Sequence, residues 1–255
     1  YGEIVAMDRS VGALRRGLRE LGIADNTLLW FTSDNGGLSK FGPETMGGLR
    51  GSKNTMYEGG LRVPGIIEWP TRVPENRITD FPAGTIDMFP TIAEIVGLPD
   101  DSFLQPQDGL SLLPLIDRKQ TKRNGYLPFR HSDRGVLTGD RYKIIRQKGE
   151  YELYDLIGDR NETTNLIDTK PNIAKKLIAK YEAFDASLEE SVAGKDYPEG
   201  RVDPEQPERR FWHEDKAYRT HFPTFLGRWE YERYRRELTE TTGNQLRRQK
   251  KKNSR

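Results

Sequence analysis

One junction constrains this chain more than any other: the apolar run Thr27 to Phe31 breaks off into Thr32-Ser33-Asp34-Asn35-Gly36-Gly37. A block of leucines and aromatics of that length predicts a strand, and Asn and Gly tolerate the positive φ that a sharp turn demands. Upstream, Ile4, Met7, Val11, Leu14, Leu18 and Leu21 recur at helical spacing, with Arg15, Arg16, Arg19 and Glu20 mainly on the other face. Gly22 is placed to close that helix as its C′ residue. Helix, short link, strand and turn make an α/β unit. The turn falls at the carboxyl end of its strand, where ligands bind in open α/β sheets. Asp34 and Asn35 set a carboxylate and an amide oxygen side by side there, hard donors that suit Ca²⁺ or Mg²⁺ better than zinc. The same tetrapeptide also serves as a plain turn, so a second feature is needed.

That feature is Lys53, 19 residues on (53 − 34), in Leu49-Arg50-Gly51-Ser52-Lys53-Asn54-Thr55-Met56-Tyr57-Glu58-Gly59-Gly60-Leu61-Arg62-Val63-Pro64. A single loop lysine is ordinarily just solvated. An oxygen-bound cation beside a lysine, however, is the arrangement an anionic substrate needs. Gly-Gly-Leu recurs at 36, 47 and 59, too short a unit to make a repeat architecture.

Together, Thr32–Gly37, Arg50-Gly51-Ser52-Lys53 and Tyr57–Pro64 resemble the second half of a type I, arylsulfatase-like sulfatase of the alkaline phosphatase superfamily. Weaker matches follow in order: Ile86-Asp87-Met88-Phe89-Pro90-Thr91-Ile92, Asp108-Gly109-Leu110-Ser111-Leu112 and Tyr151-Glu152-Leu153-Tyr154-Asp155-Leu156. The resemblance covers residues 1–190. It implies an α/β fold: the C-terminal part of an alkaline phosphatase-like mixed sheet flanked by helices, followed by a small antiparallel α+β subdomain. It also implies a chain that begins partway through a domain, and a secreted or periplasmic protein.

Composition fits and excludes other classes. Of 255 residues, 34% are hydrophobic and 31% charged, and no apolar run is long enough to span a bilayer. A net charge of +2 gives no case for nucleic acid as a partner. With no cysteine, disulfides, thiolate catalysis and Cys-zinc sites are all ruled out.

Three regions are expected: a catalytic α/β part at 1–116, an α+β subdomain at 117–190 and a polar, basic, partly disordered tail at 191–255. In the first, Val63–Trp69 reads as a second strand whose apolar middle, Gly65-Ile66-Ile67, suits a sheet covered on both faces. Asp87 reads as the N-cap of a helix ending at Val96, with Gly97 beyond it. In the second, Val136–Ile145 reads as a hairpin and Tyr151–Leu156 as a strand. From Pro171 a helix follows with Ile173, Leu177, Ile178, Tyr181, Phe184 and Leu188 inward. In the tail, six basic residues among the last nine suggest either a polyanion-binding end or, preferred here, a solvated extension.

Sulfate ester hydrolysis needs an in-line nucleophile, positive charge on the sulfuryl oxygens and a proton for the leaving alcohol. The resemblance implies a formylglycine nucleophile made from Cys or Ser in a Cys/Ser-x-Pro-x-Arg motif. This sequence has no Cys, and no Ser stands two positions before Pro-x-Arg. Nucleophile, remaining metal ligands and pocket His are therefore expected upstream of Tyr1, and the isolated chain is expected to be inactive. Carried over, Asp34 and Asn35 are expected Ca²⁺ ligands, and Lys53 the catalytic residue that holds a sulfate oxygen. Arg50 either meets substrate anions or pairs with Glu58 or Glu44. His131, placed on a loop of the small subdomain, is a candidate substrate contact. The substrate implied is a sulfated small molecule or glycan. Two rivals stand: a phosphoesterase or phosphonate hydrolase of the same superfamily, and a glycan-binding relative without catalysis. Two-metal rivals need several His ligands, whereas the only histidines are His131, His213 and His221.

Overall fold

The computed structural model describes residues 2–197, 200, 216–232 and 235. The chain divides into two compact units, residues 1–201 and 202–255.

The first unit opens with α1 (Gly2–Glu20). Gly22 stops it, taking φ +69° and giving its N–H to the Arg19 carbonyl at 3.0 Å. Much of the apolar stripe of α1 stands open among the described residues: Ile4 is 59% and Leu14 49% exposed, while Val11 and Leu18 are half-buried. β1 (Leu29–Thr32) pairs antiparallel with β2 (Gly65–Glu68), Trp30 opposite Ile67. Here the structure corrects the expectation of a strand covered on both faces, because Gly65 and Ile66 are exposed. A continuous apolar run marks a strand fit for burial; the two-stranded ribbon has α1 tied to it through Glu68 but no layer among the described residues to cover both faces.

After a one-turn helix α2 (Glu58–Leu61), α3 (Met88–Val96) ends at Gly97 with φ +71°. Asp87 occupies the N-cap position, but its side chain does not cap α3. The buried carboxylate accepts the N–H groups of Gly84 and Leu110, each at 2.9 Å, and pairs through both oxygens with buried Arg123 at 2.8 and 3.0 Å. A buried carboxylate facing a guanidinium gains more from a bidentate ion pair than from one backbone amide, so the capping role passes to ion pairing. A short helix, α4 (Leu113–Ile116), leads on.

Four antiparallel strands then run in sequence order: β3 (Leu127–His131), β4 (Arg134–Thr138), β5 (Tyr142–Gln147) and β6 (Glu150–Asp155). α5 (Pro171–Val192) covers one face. Side chains alternate across a strand, and the meander buries both sets. Leu137, Ile144 and Leu153 pack on Ala174, Leu177 and Tyr181 of α5. Val136, Ile145 and Tyr154 point the other way and pack on Met56, Tyr57 and Leu61 of the Lys53 loop and α2. The second face of this sheet is thus the floor of the loop on which the candidate chemistry sits.

In the second unit the described residues form α6 (Lys216–Arg219), α7 (Phe222–Leu226) and a turn at Trp229–Tyr231, with Phe225 stacked on Tyr231 at 6.0 Å. The basic end, Arg247 to Arg255, lies outside the described residues, as does His213. No helix among the described residues is long and apolar enough to cross a membrane.

Candidate functional site

β1 delivers its polypeptide into the turn at Ser33–Gly37. Ser33 Oγ donates to the Asn35 carbonyl at 3.2 Å, folding the turn on itself. Asn35 Nδ2 donates to the Gly36 carbonyl at 2.9 Å, which commits the amide nitrogen and leaves Oδ1 for a cation. Asp34 is exposed and Asn35 half-buried.

Two main-chain bonds splice this turn to the loop that carries Lys53. Gly36 N–H donates to Gly60 O and Lys53 N–H to Gly37 O, both at 2.9 Å. Only glycine allows such an approach: a Cβ on Gly36 would lie 1.9 Å from the Gly59 carbonyl oxygen, and one on Gly59 2.5 Å from that of Gly51. Two of the three Gly-Gly-Leu tripeptides therefore meet each other, at 36 and 59. Asp34, Asn35 and exposed Lys53 consequently sit on adjoining stretches of backbone.

Arg50 faces downward, onto the sheet. Its guanidinium donates to Tyr154 Oη at 3.0 Å, the Glu162 carbonyl at 2.6 Å and Tyr57 Oη at 3.0 Å, and lies 3.8 Å from the Tyr57 ring centroid. Neither carboxylate suggested as its partner is used: Glu58 receives Lys143 at 2.9 Å and Arg62 at 3.3 Å instead. Glu152 sits beside this cluster. Burial raises its pKa, but hydrogen bonds from Tyr154, Gln147 and Tyr57 outweigh that, and it stays below the ordinary carboxylate value. Burial pushes the Tyr154 phenol up strongly, with Glu152 adding to it.

His131 is the last residue of β3 rather than a loop residue, paired with Arg134 across a tight turn in which Ser132 takes φ +57°. Left-handed Ser132 lets the turn close directly after His131, so the residue expected on a loop pairs within the sheet. Arg134 lies 3.1 Å from His131 Nδ1 and donates to the Asn54 carbonyl at 2.7 Å, which fastens the hairpin tip to the residue after Lys53.

Sequence reasoning missed the groups beneath the loop. Glu58, Lys143 and Glu162 are buried charges in contact, with Lys143 Nζ 2.8 Å from Glu162 Oε1 in an ion pair that lacks hydrogen-bond alignment. Burial pushes the Glu162 carboxyl up, and Lys143 opposes it. The available signal was Lys143 itself, a charge in the otherwise apolar stretch Tyr142–Ile145.

Asp34 and Asn35 fit Ca²⁺ as two of the six to eight oxygens it takes. Among the described residues no three His, Asp or Glu side chains gather to complete such a set. A formylglycine does not fit, since the sequence offers neither Cys nor the Ser motif from which it is made.

Comparison with known proteins decides the lineage. A family model described as Sulfatase matches residues 1–98, and one described as N-sulphoglucosamine sulphohydrolase, C-terminal, matches residues 51–186, more than half of the chain. The chain belongs to the sulfatase family. A protein of Formosa agariphila named Sulfatase is 34% identical in an alignment 194 positions long, which covers 65% of this chain and 34% of that one. The chain thus spans about a third of the length of that sulfatase. Among solved structures, a sulfatase from work on glycosaminoglycan metabolism by Bacteroides thetaiotaomicron superposes with a TM-score of 0.61 at 25% identity, covering 71% of this chain and 43% of the other. A second, BT4656 in complex with its substrate D-glucosamine-2-N,6-O-disulfate, gives 0.51 at 25% identity, covering 80% and 41%. The expected fold class, an alkaline phosphatase-like α/β sulfatase fold seen in its C-terminal portion, is borne out.

Proposed function

We propose that this sulfatase is a sulfuric ester hydrolase and that these residues form the part of its active site that binds the charge of the ester. The observation that carries the reading is the double splice between the Ser33–Gly37 turn and the Lys53 loop. Those two bonds run the stretches of backbone that carry Asp34, Asn35 and Lys53 side by side, which supports their acting on one ligand. Asp34 and Asn35 would hold a single Ca²⁺, which when bound supplies positive charge to the sulfuryl oxygens. Lys53 binds a sulfuryl oxygen and stabilises the charge that grows on it and on the bridging oxygen during transfer. The loop fixes its main chain in advance through the bond to Gly37, which limits the reorganisation needed as that charge develops. His131, fastened beside the loop through Arg134, contacts the part of the substrate beyond the sulfate. Arg50 acts here from below, because contact with a substrate anion would first have to break its bonds to Tyr57, Tyr154 and Glu162. The nucleophile is not among these residues, so the 255-residue chain alone should not turn over an aryl sulfate.

The substrate class is a carbohydrate sulfate. Support for it comes from the disulfated glucosamine that BT4656 binds. The division at 116/117 into a catalytic part and a substrate-facing subdomain belongs to the same reading.

In the complete enzyme, Asp34→Ala and Lys53→Ala should each slow turnover about 100- to 1,000-fold, the usual cost of losing one preorganised charge contact. The melting temperature of Lys53→Ala should hardly move, since the side chain is exposed, and that of Asp34→Ala should fall only by what bound Ca²⁺ contributes. Wild-type rates in either variant would overturn the proposal.

A further inference from the structure

Under the site loop lies a cluster of charges whose centre, Lys143 and Glu162, has no contact with solvent. Lys143 of β5 is 0% exposed, with Nζ 2.9 Å from Glu58 Oε1 and 2.8 Å from Glu162 Oε1. Glu162 is likewise 0% exposed. Arg62 reaches the other Glu58 oxygen at 3.3 Å, so two cations face two carboxylates. Burying such groups is costly, and apolar residues of the same volume are often at least as stable. Stability therefore does not account for them.

Their placement does. Glu162 grips both ends of the loop that contains Lys53. At one end its carbonyl accepts Arg50 at 2.6 Å; at the other its carboxylate accepts the Glu58 N–H at 2.7 Å. To do so it adopts φ +54°, a left-handed conformation that a non-glycine residue keeps only where its surroundings fix it. Lys143 supplies that fixing charge from β5, an inner strand of the sheet, where it pairs with Tyr154. Between the two grips stands Lys53, whose N–H makes one of the two splices to the Asp34–Asn35 turn.

We propose that Lys143 and Glu162 are positioning residues for Lys53: a buried clamp that fixes loop 50–58 on the sheet and so sets the ammonium group against the sulfuryl oxygens. The inference rests on the function proposed above for Lys53 and assigns it a support in the small sheet.

The test is a double-mutant cycle in the complete enzyme, with p-nitrophenyl sulfate as probe. With Lys53 present, Lys143→Met should lower kcat/KM about a hundredfold, the scale of a roughly 1 Å misplacement of a catalytic group. In the Lys53→Ala background the same change should cost less than about twofold, because coupled residues are not additive. An equal loss in both backgrounds, or no loss with Lys53 present, overturns the clamp. If Lys53→Ala alone keeps the wild-type rate, the sulfatase role of Lys53 fails before the clamp is reached, and the two failures are told apart. Lys143→Met leaves Glu162 buried without a cation and Glu58 with Arg62 alone, and can prevent folding. The pair Lys143→Met with Glu162→Gln removes one charge of each sign, leaves Glu58 facing Arg62, and should show the same non-additivity. Amide exchange gives a readout apart from catalysis. In the paired variant the Lys53 and Gly36 N–H groups should exchange about tenfold faster, while those of Ile144 and Ile145 keep their protection. Uniform acceleration through the sheet would reduce the clamp to general stability and overturn the proposal.

Discussion

The four-stranded sheet and the two-stranded ribbon draw on similar apolar sequence, yet only the sheet closes a core. Val136, Ile144, Ile145 and Leu153 are fully buried between α5 on one side and the Lys53 loop on the other. Ile66 of the ribbon and Ile4, Met7 and Leu14 of α1 are about half exposed or more. The lesson concerns layers rather than residues. A strand buries its alternate side chains only where a second layer meets each face, and a ribbon of two strands with one helix cannot supply both. The candidate site exploits the contrast: its charged tip rides on the ribbon's turn, while its loop is bolted to the sheet.

The largest expected effect tests that contrast directly. Leu153→Ala empties volume between sheet and α5 and should cost about 2–5 kcal/mol, whereas Leu14→Ala in this chain should stay within about 0.5 kcal/mol of wild type. Thermal or denaturant unfolding of the two variants measures both. A core-sized penalty at Leu14 would mean that residues other than the described ones cover α1, and the contrast would break.

Gly36→Ala comes next. The added methyl would meet the Gly59 carbonyl at 1.9 Å, so the turn and the loop must separate. Overpacking of this kind typically costs about 1–3 kcal/mol. Turnover in the complete enzyme should fall further than stability alone explains, because the Gly36–Gly60 and Lys53–Gly37 bonds hold the two halves of the site together. Gly47→Ala, with nothing within 4 Å of the new methyl, is the control that strains the backbone without forcing turn and loop apart.

Much of this was legible in the residues. Period 3.6 in Ile4–Leu21, the apolar block at Leu29–Phe31 and the Gly22 and Gly97 stops carry α1, β1 and the end of α3, because those signals are local. Asp34, Asn35 and Lys53 could be singled out only as a set: each alone reads as an ordinary turn or loop residue, and it is the motif from Thr32 to Pro64 that joins them. Other features depend on contacts remote in sequence and leave no local trace. Arg50 reads as a loop cation, but the decisive partners, Tyr154 and Glu162, lie more than a hundred positions away. Asp87 reads as a cap until Arg123 arrives from a segment that looks like a linker. Gly65-Ile66-Ile67 reads as buried because the apolar pattern states what a strand can bury and not what is present to bury it.

The smallest effect concerns what ties α1 to the ribbon. Arg15 donates to both oxygens of Glu68 on β2 at 2.6 and 2.9 Å, and Arg19 adds a contact at 3.4 Å. These bonds, the Arg15 hydrogen bond foremost, hold the Glu68 carboxyl below its ordinary value. A pKa lower in the folded state than in the unfolded one gives stability that is present above about pH 4.3 and lost as the pH falls through the folded value. The sheet layer keeps its apolar core over that range. On acidification below about pH 4, α1 amides should therefore lose exchange protection before those of β4 and β5 do. Glu68→Gln should reproduce the early loss at neutral pH, with only a small change in global stability because exposed ion pairs contribute little. If α1 keeps its protection in that variant, its hold on the ribbon is apolar, through the half-buried side of the helix, and the difference between the two regions is narrower than their exposure suggests.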